Sequence, residues 1–143
     1  MKPESFLIRC IHLRKARVGM RSDGIVQTDI FDEQELSVAD VKEVIIAIGQ
    51  IAQQQMSGQL IIAGTLSGPD LPAMKFIASE GSSPYAIAEA YVITSLSQKI
   101  LAQFYLNFNK PARPTKMFSE ETPAVIWLTD QIRKYNQEKP AKP

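Results

Sequence analysis

Residues 86–118, AIAEAYVITSLSQKILAQFYLNFNKPARPTKMF, carry the three signals that decide the fold. Ala86 to Thr94 is almost wholly apolar apart from Glu89, as a central strand covered on both faces requires. Ser95 then opens a helix, and Gln98 three residues on completes a capping box. Leu96, Ile100, Leu101, Phe104, Leu106 and Phe108 fall mostly at helical spacing. Pro111 ends the helix near Asn107 or Asn109, because it forbids continuation and disfavours a helical Lys110. Pro111 and Pro114 stiffen the loop that follows, and TKMF, residues 115–118, reads as a short strand. No Asp or Glu occurs between Ala90 and Ser119, so Lys99, Lys110, Arg113 and Lys116 are locally uncompensated.

Downstream, Ser119 is placed to cap a last helix. Glu120 and Glu121 complement its dipole, and Val125, Trp127, Leu128 and Ile132 supply its apolar contacts. Upstream, Phe6 to Leu13 reads as a strand with Phe6, Ile8 and Cys10 on one face. Ala16, Val18 and Met20 alternate with Arg17, Gly19 and Arg21, and Ser22-Asp23-Gly24 turns the chain back through Ile25 to Phe31 as a hairpin. Ser37 caps a helix with Asp40 in its first turn and Val38, Val41, Val44, Ile45, Ile48 and Ala52 as its core stripe; Gly58 is the expected stop. QLIIA, residues 59–63, is a buried strand, and strand–helix–strand implies parallel pairing. After the GTLSGP turn cluster, Asp70 caps a further helix opened by Leu71 and Pro72, with Met74, Phe76, Ile77 and Ala78 inward.

The run LNFNKPARPTKMFSEETPAVIWL, residues 106–128, resembles a small group of bacterial STAS-like domains, distantly similar to anti-sigma-factor antagonists. The likeness extends more weakly from about Ala16 to Ile132. It implies a fold and no established activity. The expected fold is α/β: one STAS-like domain over residues 1–136, a mixed five- or six-stranded sheet with about four helices, then a frayed polar tail at 137–143.

The chain has 143 residues, ordinary proportions of hydrophobic (45%) and charged (22%) residues, and a net charge of +1, so nothing draws it as a whole toward nucleic acid. The aromatics Phe104, Tyr105 and Phe108 sit at helical spacing and read as core rather than as a stacking platform. No apolar run is long enough to span a bilayer. The start MKPESFLIRCIHLRK lacks the apolar segment and cleavage site of a signal peptide, so a cytoplasmic location is expected.

No catalytic, metal or cofactor constellation is expected. His12 is the sole histidine and has no evident companion. Cys10, the sole cysteine, excludes an intramolecular disulfide and reads as a buried, inert thiol. GTLSG, residues 64–68, lacks the Gly-Lys-Ser/Thr of a phosphate-binding loop, and Asp29, Asp32, Glu33 and Glu35 read as a solvated cluster. Three surfaces remain. Asn109, Lys110, Arg113 and Lys116 form a candidate anion or partner site. Thr65 and Ser67 lie where the STAS resemblance implies a phosphorylated serine, although the Asp-Ser-Ser/Thr-Gly run is absent and Asp70 takes the capping place. Met74, Phe76, Phe104, Tyr105 and Trp127 are candidates for lining an apolar pocket between helices and sheet. The leading expectation is a non-enzymatic regulatory or protein-interaction domain with a protein partner or a second copy as its mate. The alternative is a binder of a small anionic or amphipathic ligand, through the 109–116 loop or a pocket.

Overall fold

The computed structural model describes residues 7–79, 82–108, 111 and 113–138. The chain opens with three antiparallel strands, β1 (Leu7–His12), β2 (Ala16–Arg21) and β3 (Val26–Ile30). The β2–β3 turn closes on Gly24, whose φ of 84° suits a residue without Cβ. A two-residue strand β4 (Glu35–Leu36) leads to α1 (Val38–Ile51) and β5 (Ser57–Ile62). A second two-residue strand, β6 (Gly68–Pro69), precedes α2 (Leu71–Ala78). Then come β7 (Ala86–Val92), α3 (Leu96–Phe108), β8 (Thr115–Phe118) and α4 (Glu121–Glu138). The main sheet has six strands in the order β1-β2-β3-β5-β7-β8, parallel from β3 onward, so the expected mixed α/β architecture with four helices is the one observed. The pair β4–β6, which periodicity does not announce, forms a small parallel ribbon of its own.

Strand alternation divides the sheet into two faces. On one, Leu60, Ala88, Ala90 and Val92 pack against Ala124 and Leu128 of α4. On the other, α1 sets Ala47, Ile51 and Ala52 on Val18 and Val26, and Ala73 of α2 joins Ala16, Ile30, Leu36 and Val41. Buried Arg21 ties the hairpin to α4: its guanidinium donates to Asp23 (3.0 Å), to Gln27 (3.0 Å) and to Glu121 (3.2 Å).

Capping chemistry holds where a single local motif suffices. Ser37 and Asp40 form a reciprocal capping box at α1, and Asp70 accepts from the Ala73 amide (2.9 Å) at α2. Elsewhere tertiary contacts prevail. α1 stops at Ile51 without Gly58; Gln53 and Gln54 take positive φ, and Gly58 lies inside β5. α4 begins at Glu121, and Ser119 accepts the Lys99 ammonium instead of capping. α4 runs to Glu138, past the expected domain boundary at 136.

Two burial expectations are corrected. Cys10 is exposed, because β1 is an edge strand and α4 packs mainly on β5, β7 and β8 on that face. The apolar stripe of α3 is not core either. Leu96, Ile100 (62% exposed) and Phe104 (59% exposed) point outward, and no described side chain of this helix is fully buried. The reason is that α3 covers a cavity rather than a packed layer.

Candidate functional site

The cavity lies between α1, α2, α3 and the sheet and measures about 440 Å³. Val41, Val44, Ile45 and Ile48 of α1 form one wall. Met74 and Ile77 of α2 and Leu101, Ala102 and Leu106 of α3 form the others. This explains why much of the α1 stripe is only half-buried: its side chains meet empty space instead of neighbours.

The floor follows from strand register. Thr28, Ile61, Tyr91 and Met117 are aligned across β3, β5, β7 and β8. The adjacent row on the same face is Val26, Gln59, Glu89 and Thr115. Thr28, Glu89, Tyr91 and Thr115 therefore set polar groups into the floor of a mainly apolar chamber.

Glu89 is the lone carboxylate of β7, and its side chain is only 6% exposed. A buried carboxylate needs donors, and three side chains supply them. Arg113 Nη2 donates to Oε1 (3.1 Å), the Tyr91 hydroxyl to Oε1 (3.1 Å), and the Ser83 hydroxyl to Oε2 (2.6 Å). Arg113, 7% exposed, also donates to the carbonyls of Ile77 (2.6 Å) and Ser79 (3.2 Å), so it neutralises the acid and closes the end of α2. Burial pushes the Tyr91 phenol well up from its ordinary pKa; the Glu89 charge adds to this and the Arg113 charge opposes it.

This arrangement redraws the expected anion site. Arg113 is spent inside the protein on Glu89, not offered to solvent. Lys116 is exposed, with its ammonium 5.5 Å from the Phe118 ring centre. It alternates with Thr115 and Met117, which face the cavity. Asn109 and Lys110 lie outside the described residues. Arg113 and Lys116 are thus not brought together. The sequence did carry a signal for the ion pair: one acid in an apolar strand, and an arginine downstream in an acid-free run.

Thr65 and Ser67 form a turn against the end of β3. The Thr65 amide donates to Asp32 Oδ1 (2.8 Å), and its carbonyl accepts from the Glu33 amide (2.7 Å). Ser67 is buried; its hydroxyl donates to the Gly64 carbonyl (2.7 Å), and its own carbonyl accepts from Gln98 of α3. Gln98 therefore reaches across to this turn instead of completing a capping box with Ser95.

Of the aromatic and methionine candidates for a pocket, Met74 lines the cavity. Phe76 sits under the Lys42 ammonium at 5.5 Å, and Trp127 packs on Phe118 with ring centres 5.8 Å apart. Phe104 points outward, and the side chain of Tyr105 lies outside the described residues. Asp29 pairs with Arg17 at 2.8 Å, and Cys10 Sγ lies 3.6 Å from His12 Nε2 on the exposed edge strand. Among the described residues, no group of three or more His, Cys, Asp or Glu side chains is disposed to hold a metal ion, and no helix is long and apolar enough to cross a membrane.

No curated protein and no solved structure matches the chain significantly. One protein family does, over residues 19–132, a span that starts within β2 and takes in the cavity, the Glu89–Arg113 pair and most of α4. The chain belongs to this family, which is described as a domain of unknown function, DUF7793.

Proposed function

We propose that the protein is a non-enzymatic binding domain that takes a small, mainly apolar molecule into the cavity under α3. The observation that carries this reading is the cavity itself. Its volume falls within the roughly 300–1,000 Å³ of small-molecule sites, and its lining combines aliphatic walls with a few polar groups. Folded domains do not ordinarily leave such a space between a sheet and three helices, since empty apolar volume forfeits packing contacts. Neither Cys10 nor His12 lines it, and the buried carboxylate that does, Glu89, is held in an ion pair by Arg113. The test uses Nile red, a neutral apolar dye. Saturable uptake at one dye per chain is expected, and Ala102→Phe, which fills the chamber from α3, abolishes it. Absence of saturable uptake by folded wild-type protein would overturn the reading.

A second reading is the STAS-like regulatory or protein-interaction domain, in the cytoplasm, with a second copy of the chain as its mate. The outward apolar side chains Leu96 and Ile100 of α3 favour it. Sedimentation velocity decides: a dimer that Ile100→Glu dissociates supports it, and a monomer at every concentration removes the homodimer.

A further inference from the structure

The cavity's polar groups also specify what kind of molecule fits, an inference that rests on the binding reading above. Among the described lining residues the charged side chains are Glu35 and Glu89, and no Lys or Arg is present. A ligand carboxylate or phosphate would therefore be desolvated with no cation to receive it, and beside a carboxylate already inside. A ligand ammonium gains little from Glu89, which Arg113 has neutralised, or from Glu35, which is exposed to solvent, where an ion pair is worth little. Charge of either sign is disfavoured.

Hydrogen bonding is another matter. Thr28 is 1% exposed, lies on the cavity floor, and its Oγ1 has no hydrogen-bond partner. A buried hydroxyl left unpaired costs free energy, and a ligand group that pairs with it recovers that cost. The hydroxyl can both donate and accept. Tyr91 stands in the same cross-strand row two strands away, and its hydrogen is committed to Glu89, so it offers only oxygen lone pairs. At about 4.8 Å per strand, one small group cannot satisfy both. Gln34, Glu35, Ser67 and Gln98 add polar groups toward the α3 and β4 side, and the walls on α1 and α2 are aliphatic.

We infer that the cavity takes an uncharged, mainly aliphatic molecule bearing a hydroxyl group, with the Thr28 hydroxyl in the cavity floor as the residue that selects it. Thr28 neither touches α3's outward face nor takes part in the Glu89–Arg113 pair, so its replacement leaves the fold's polar network in place. Thr28→Val keeps the shape and removes the orphaned hydroxyl, so the variant's melting temperature stays level or rises.

The experiment is competition against bound Nile red by dodecanol, dodecylamine and dodecanoate at neutral pH, on wild type and Thr28→Val. Dodecanol is expected to displace the dye at least tenfold more effectively than either charged analogue. Thr28→Val weakens dodecanol by about three- to tenfold, the equivalent of one hydrogen bond, once the dye's own affinity for that variant, titrated directly, is taken into account. Equal or tighter binding of dodecanoate, or a dodecanol affinity indifferent to Thr28→Val, overturns the inference while the cavity still binds. Failure of the dye and all three chains to bind overturns the binding reading together with it.

Discussion

Glu89 and Arg113 show how one residue pair can govern a site. Each is buried, and each stabilises only while the other is present. Removing one partner of such a pair costs about 3–5 kcal/mol, whereas replacing both with apolar side chains is often neutral. Urea denaturation of Arg113→Met is therefore expected to show a loss in that range, and Glu89→Leu with Arg113→Met together to lose clearly less than the sum. Additive losses would mean that the two do not act as a pair. Asp40 supplies a pH-dependent counterpart. Its carboxylate accepts from the Lys15 ammonium (2.8 Å) and the Ser37 amide (2.9 Å), and these donors hold its pKa at about 2, below the ordinary 3.8. A carboxyl depressed on folding binds its proton more readily when unfolded, so its contribution is present above the ordinary value and disappears as pH falls toward 2. Stability between pH 4 and 2 should decline less steeply in Asp40→Asn, which would show in melting temperatures across that window.

At the scale of elements, Gly64 in the loop after β5 and Gly68 at the start of β6 make contrasting predictions. A Cβ on Gly64 would lie 2.5 Å from the Ile30 carbonyl oxygen and 2.7 Å from the Asp32 amide nitrogen, both backbone atoms at the end of β3. That loop cannot yield without moving the strand. Gly64→Ala is expected to destabilise by about 1–3 kcal/mol through overpacking. A Cβ on Gly68 meets nothing within 4 Å, so Gly68→Ala should lie within about 0.5 kcal/mol of wild type, like other unencumbered substitutions. Equal effects on chemical denaturation would contradict this account of the loop. α3 illustrates a different element-level balance. Its inward residues Gln98, Leu101, Ala102 and Leu106 line a void, so it is held by polar bonds, from Gln98 to the Ser67 carbonyl and from Lys99 to Ser119, more than by burial.

For the whole molecule, an occupant of the cavity would replace missing packing between the sheet and three helices. A molecule that binds only the folded state raises stability as RT ln(1 + [L]/Kd), about 2.7 kcal/mol at a hundredfold excess over Kd. Saturating dodecanol should thus raise the melting temperature of wild type by several degrees. Ala102→Phe should be at least as stable as wild type without ligand and gain nothing on addition, since its own ring fills the space. A gain in that variant equal to wild type's would place the binding elsewhere than the cavity.

Local chemistry made much of the architecture legible from residues alone. The Asp23-Gly24 turn, the Ser37–Asp40 and Asp70 caps, the apolar run of β7 and the prolines around β8 each act over a few residues, and each appears where the sequence places it. The two-residue ribbon β4–β6 left no such trace, because its pairing joins segments with no periodicity of their own. The site was legible only in fragments. Periodicity identifies which face of α3 is apolar but not whether a layer lies beneath it, and charge spacing identifies Arg113 as uncompensated only along the chain. Parallel pairing of β7 with β8 brings Arg113 against Glu89, and stacking of three helices over the sheet leaves the chamber with Thr28 in its floor. Those are contacts between segments distant in sequence, and burial, which decides what an ionised or polar side chain does, exists only once the segments have met.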